Sequence, residues 1–328
     1  MHVFSMAGYT SGMKERRSAY DVTNQVNVTD VETVCNEVCL LFSGLYPKSS
    51  LRSIKEAFQI ASNLFRGSYP GYRPCDTPYH DLQHTLDVTL AMARLLYGHE
   101  VSAGSGSKLG INMVRLGIVV ALFHDSGYVR RLGDRRHKNG AVYTNRHVSR
   151  GGRFLATILP AIGMAEMVPV ARRLIHFTGY EIAVPSIRLH APNSRTLGKL
   201  LGSADLMAQM SDRCYLEKCR DRLYPEFVAA GMAGEGMGDR SFHSPEELIF
   251  RSPQFFRHIL DDRLDQVMDG VHSYAKLFFL PQKNYYQEAL ERNYDYLNRV
   301  VEKRDLTLLR RVPPWTLVAN PDSVLPAR

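Results

Sequence analysis

From Val31 onward, apolar residues return every three or four positions: Val31, Val34, Cys35, Val38, Leu41 and Phe42 share one helical face. Asp30 has the side chain of an N-cap and Gly44 that of a stop. A second helix is predicted over residues 51–65, where Ile54, Ala57, Phe58, Ala61 and Phe65 keep the same period. The stretch GSYPGYRPCDTP, residues 67–78, is dense in Pro and Gly and reads as a loop. A helix is expected over 79–97, then a soft Gly- and Ser-rich segment over 98–110. Ile111–Phe123 is almost continuously apolar, a run too long for an ordinary strand and suited to a buried helix. Further helices are expected over 145–159, 165–177, 197–222, 245–279 (interrupted) and 281–302, with a mobile loop at 231–244.

No internal repeat and no hairpin signal breaks this series, so the expected fold class is all-α, a single multi-helix bundle. Residues 1–29 are polar with few large apolar side chains and read as a flexible arm. Residues 30–311 form the expected catalytic domain, and 312–328, rich in proline, an irregular tail. A chain of 328 residues with 45% hydrophobic content can bury a sizeable core.

Forty-one Lys and Arg face 33 Asp and Glu, leaving +8 at neutral pH. That surplus favours an anionic small molecule such as a nucleotide or phosphate ester. No aromatic-basic motif of a nucleic-acid module stands out, so no specific nucleic-acid partner is expected. The chain shows neither a long apolar run nor a secretory leader, so no membrane association is expected and the location reads as cytoplasmic. Its five cysteines lack scaffold spacing and read as reduced thiols. The sequence says nothing of oligomeric state.

The chemistry concentrates in histidines and acids. His80 and His84, four apart in the expected 79–97 helix, would share one face. His124-Asp125 closes the apolar run, where neither side chain belongs unless paired or metal-bound. Asp205 lies among Leu200, Leu201, Leu206 and Met207, which argues for burial, although a surface aspartate is the plainer reading. His147 opens one predicted helix and His176 closes another. Each histidine alone has an ordinary reading as a hydrogen-bonded core residue; spread over successive helices, the group matches the way bundles build metal sites. Neutral imidazoles and carboxylates suit Mn, Fe, Zn or Mg without choosing among them. The arginines at 130, 131, 135 and 136 are a candidate phosphate grip or simply a solvated loop.

The order His, His-Asp, Asp resembles the HD superfamily of metal-dependent phosphohydrolases. YHDLQHTLDV is similar to the YHNxxHAxDV motif of class I cyclic-nucleotide phosphodiesterases, ALFHDSGY to their HDxxHxG segment, ADL to the segment carrying their last metal-bound aspartate, and LERNYDYL to their final helix. The likeness runs over roughly residues 75–300. It implies a general acid at His80, metal ligands at His84, His124, Asp125 and Asp205, and a catalytic, bridging role for Asp125. Tyr79 and Gln254 are the substrate-contact candidates it implies, Gln254 for the purine-binding glutamine. The family's second histidine is missing, with Tyr128 at the end of His124-Asp125-Ser126-Gly127-Tyr128. HVSRGGRFL and LIHFTGYE look instead like segments of HD-GYP-like and diiron HD proteins, which implies that His147 and His176 join Asp125 on a second ion.

The expected function is therefore two-metal hydrolysis of a phosphodiester, a 3',5'-cyclic mononucleotide first among the candidates. A metal-activated hydroxide would attack and His80 would protonate the leaving oxygen. Asp81 and Asp87 are the acids in reach to orient His80. Two rivals share the ligand set: an HD-type diiron oxygenase, and a non-catalytic domain that senses a nucleotide.

Overall fold

The computed structural model describes residues 15–236, 238, 241–279 and 284–314. Helix α3, Leu82–Ser102, is its axis: 18 of its 21 residues are buried, so it needs partners on every side. Those partners are α1 (Val31–Leu45), α4 (Ile111–Phe123), α7 (Pro192–Ser211) and α11 (Ala275–Phe278). Helix α2 (Arg52–Arg66) closes against α4, and α5 (His147–Ala161) against α6 (Val168–Leu174). Among the described residues there are no strands, only isolated bridges, and the fold is all-α as expected. The main hydrophobic core runs from Val22 to Leu309, and Phe177, Val184, Ile187 and Met268 form a small second cluster. No helix among the described residues is long and apolar enough to cross a membrane.

Several boundaries moved for identifiable reasons. Asp30 caps α1 as expected, accepting the Glu32 N–H. Helix α3 starts three residues later than expected, because Asp81 caps it by accepting the His84 N–H at 2.9 Å. Tyr79 and His80 therefore precede the helix and do not sit on it. At its far end α3 continues through Gly98, where a Cβ would meet the Tyr274 carbonyl at 2.0 Å, and on to Ser102. Buried Glu100 takes the Tyr46 hydroxyl at 2.7 Å and the Leu109 N–H at 2.8 Å, so the expected soft segment begins only beyond residue 102.

The helix expected over 165–177 breaks into a 3-10 turn, α6 and a second 3-10 turn, Ile175–Thr178. The one expected over 197–222 ends at Ser211. There Asp212 turns to accept the Cys214 N–H at 2.7 Å and the Lys218 ammonium at 2.5 Å. Asn293, on α12 (Tyr285–Lys303), donates to the Met210 and Asp212 carbonyls at 2.9 and 2.7 Å and holds the break open. The chain then forms α8 (Tyr215–Lys218), a π-turn, and α9 (Tyr224–Ala229).

The expected arm is corrected over residues 15–29; residues 1–14 lie outside the described residues. Val22, Val26 and Val28 are buried, and Asp21 and Arg94 form an ion pair at 2.7 Å with both side chains 0% exposed. The Arg94 guanidinium also meets the Tyr286 hydroxyl at 3.1 Å and lies 5.4 Å from the ring centroids of Phe278 and Phe279. A polar N-terminal stretch is thus fastened to α3 by a charge pair that a hydrophobicity reading counts against packing. Of the expected C-terminal tail, Val312, Pro313 and Pro314 are described and form no regular element; the rest lies outside the described residues.

Candidate metal centre and proton donor

Helix α4 delivers His124 and Asp125 at its C-terminal end, both buried. His124 Nδ1 is 2.8 Å from the Ala121 carbonyl, a contact that only an Nδ1–H can satisfy, so in the neutral ring Nε2 carries the lone pair. That nitrogen lies 3.4 Å from His84 Nε2, 3.1 Å from Asp125 Oδ2 and 3.7 Å from Asp205 Oδ1. His84 Nε2 in turn lies 3.5 Å from Asp125 Oδ2 and 3.3 Å from Asp205 Oδ1. Helices α3, α4 and α7 so bring His84, His124 and Asp205 together, with Asp125 Oδ2 lying against both imidazoles. His84, His124 and Asp205 form a group that could hold a metal, their ligand atoms all within 4.8 Å of one another.

The chemistry of this set fits a cation. Asp125 Oδ2 is buried and accepts no hydrogen bond. A buried carboxylate oxygen left that way is costly unless a positive charge faces it. Burial by itself would lower the His124 pKa, but Asp125 and Asp205 outweigh it and push it up to about 9. Burial works to raise Asp125 as well; the facing His124, His80 and His84 instead hold it far below the carboxylate range.

His147, the first residue of α5, repeats the arrangement from the other side. Its Nδ1 is 2.7 Å from the Thr144 carbonyl and its Nε2 3.7 Å from Asp125 Oδ1. The two oxygens of Asp125 therefore face different imidazoles. Burial lowers the His147 pKa, which keeps the ring neutral. The approach depends on two glycines. A Cβ on Gly127 would lie 1.8 Å from the His147 carbonyl oxygen, and one on Gly151 3.2 Å from that of His124. Backbone rests on backbone, and α5 reaches Asp125 only for that reason.

His176 does not join. It lies in the 3-10 turn Ile175–Thr178, whose Ile175 and Phe177 point inward. Its charged neighbours are Glu181 and Arg172, and no hydrogen bond, ion pair or ring contact ties it to the cluster. Of the three residues expected on a second ion, Asp125 and His147 come together and His176 stays apart. Gln254 is corrected too: it is exposed on α10 (Pro245–His258), which turns Ser252 and Phe256 inward instead.

His80 stands beside the cluster, its ring centroid 6.1 Å from that of His84. Its Nδ1 is 2.5 Å from Glu226 Oε2, and Glu226 Oε1 accepts the N–H groups of Tyr79 and His80 at 2.5 and 3.2 Å. Glu226 is fully buried in the first turn of α9. Burial would lower the His80 pKa, but Glu226, Asp125 and Asp205 raise it to about 9. Neither acid expected to orient His80 does so: Asp81 caps α3, and Asp87 faces Asp212 and Lys218. Sequence reasoning missed Glu226. An acid just after a proline at a helix start, as in Tyr224-Pro225-Glu226, carries the signal of an ordinary first-turn glutamate. Tyr79 is buried with its ring centroid 5.0 Å from that of His80. Tyr128, where a histidine was missing, gives both His80 and His147 a ring to stack on, at 4.3 and 4.4 Å.

The sequence pattern of the Npun_R2479-like family matches residues 68–273, a span that includes every residue of this centre. The chain belongs to the Npun_R2479-like family. No curated protein and no solved structure matches it.

Proposed function

We propose that this member of the Npun_R2479-like family is a metal-dependent phosphodiester hydrolase, with 3',5'-cyclic mononucleotides the first substrates to test. The observation that carries the reading is the buried His80–Glu226 pair set against the His84, His124, Asp125 and Asp205 cluster. A metal centre alone serves many reactions; a fixed proton donor beside it suits one in which an alkoxide departs.

His84, His124, Asp125 and Asp205 would hold one ion, and Asp125 with His147 a second. Bound there, such ions supply a deprotonated water and neutralise phosphoryl oxygens. The chain does the rest. Glu226 fixes His80 through Nδ1, so the transferable proton sits on Nε2, which makes no hydrogen bond among the described residues. A raised pKa keeps that proton in place at neutral pH. An oxygenase has no use for this donor, which favours hydrolysis over the diiron alternative.

The test is metal content of the purified protein together with turnover of cyclic mono- and dinucleotides in Mn, Mg, Zn or Fe. A metal-loaded protein that consumes oxygen and leaves every phosphodiester intact would sink the reading.

His80→Ala should retain metal yet lose roughly 10²-fold or more in rate, the scale of a general acid. A metal-free His80→Ala protein with the native fold would contradict the assignment.

A pH profile gives a further check. His80 acts while protonated, so wild-type activity should fall as pH rises through a His80 pKa that Glu226 holds above the ordinary imidazole value. Glu226→Gln removes the charge that raises the His80 pKa, so the fall should move to lower pH. An unmoved alkaline limb would mean that His80 is not the titrating donor.

A further inference from the structure

Between residues 129 and 154 the chain carries eight basic residues and one acid, Asp134. Two of the eight are used internally: Arg130 pairs with Asp76, and Arg150 donates to the carbonyls of Gly127 and Val129 at 2.7 and 3.1 Å. The other six, Arg131, Arg135, Arg136, Lys138, Arg146 and Arg153, are exposed, and none is in an ion pair among the described residues. Asp134 does not neutralise them, because its carboxylate is engaged by His137, the Tyr143 hydroxyl and the Arg136 N–H.

The loop that carries most of these cations is fixed. Arg131 bridges to Tyr72, the Leu132 N–H bonds the Gly71 carbonyl at 2.9 Å, and the Arg73 N–H bonds that of Arg130 at 2.8 Å. Holding like charges together on a rigid loop is unfavourable until an anion meets them. The loop starts two residues after Tyr128 and is fastened by Tyr143, one turn ahead of His147, so it borders the metal centre.

Beyond the start of α5 lies an aromatic. Glu181 accepts the Ser149 N–H at 3.1 Å and pins its neighbour Tyr180 there. Tyr180 is 69% exposed, with the Arg263 guanidinium 4.6 Å from its ring centroid. An exposed ring next to a guanidinium is a surface on which a nucleobase stacks. A membrane is a poorer match, because Leu132, 56% exposed, is the only large apolar side chain the loop offers for insertion. Duplex grooves are read by a projecting helix or ribbon, and this face is an irregular loop.

We propose that this face binds single-stranded nucleic acid without reading its sequence, phosphates lying along the exposed cations and a base on Tyr180. The proposal goes beyond hydrolysis and is measured with chelator present, so it stands or falls apart from the catalytic reading.

The probe is a fluorescent twelve-nucleotide oligouridylate, followed by anisotropy between about 50 and 200 mM salt. Arg131→Ala/Arg135→Ala/Arg136→Ala should weaken binding at least ~10-fold and lower the salt slope by about 2, near 0.7 per lost phosphate contact. Arg292→Ala/Arg299→Ala/Lys303→Ala, which removes three exposed cations from α12, should leave binding within about twofold. Tyr180→Ala should weaken it about 10-fold and Tyr180→Trp should restore it. All these side chains are at the surface, and unchanged circular dichroism checks the fold. Equal losses in the two triple variants would reduce the effect to diffuse net charge and overturn the proposal. Indifference to Tyr180→Ala would leave a general polyanion face and overturn it as well. Binding to phosphatidylserine vesicles that the oligonucleotide fails to displace would assign the face to a membrane instead.

Discussion

Asp125→Ala should strip metal from the purified protein and lower phosphodiester hydrolysis by at least ~10³-fold, since metal stabilisation of a phosphoryl transition state is worth several kcal/mol and each 1.4 kcal/mol is a factor of ten. The size follows from its place. Asp125 Oδ2 lies against the imidazoles of His84 and His124, and Oδ1 faces His147. No other residue of the centre touches both sides, so its loss should empty both positions at once. Metal analysis and rate measured on one sample separate this variant from His80→Ala, which should keep its metal. An Asp125→Ala protein that holds a full complement of metal would show that the ligands lie elsewhere.

The second large effect is on stability. Arg94→Ala should destabilise the protein by about 3–5 kcal/mol, the cost of leaving one member of a buried ion pair uncompensated. Asp21 would remain buried with no guanidinium, and Phe278, Phe279 and Tyr286 would lose the cation they surround. The double replacement Asp21→Asn/Arg94→Met nearly keeps volume, removes both charges and leaves an amide oxygen for the Gln25 and Val26 N–H groups, so it should recover most of that loss. Chemical denaturation midpoints of the three proteins test this. A single variant as stable as wild type would mean that the pair is solvated in solution and the N-terminal segment does not dock.

How much the sequence revealed depended on how local the cause was. Ile111–Phe123 was legible to the residue, because an almost continuous apolar run ends at a histidine. The start of α3 was not, since Tyr79 and His80 continue an apolar-looking pattern while the cap at Asp81 decides the boundary. His84, His124, Asp125 and Asp205 come together as the motif order implied. His176 stayed apart because the expected helix breaks into a 3-10 turn at Ile175, whose inward positions are taken by Ile175 and Phe177. Asp21 looked like part of a polar arm because its partner is 73 residues away. Glu226, 146 residues from His80, left no local trace at all.

Those separations also set an order of assembly. His84 emerges from the ribosome long before Asp205, and His80 long before Glu226. Neither the cluster nor its proton donor can exist until α7 and then α9 have been made and have folded back onto α3. Contacts so distant along the chain close late and slow the search for the native state. A nascent chain halted before residue 205 would carry His84, His124, Asp125 and His147 with no complete pocket around them. The capacity for chemistry should therefore appear abruptly, once α9 has docked, and not accumulate helix by helix.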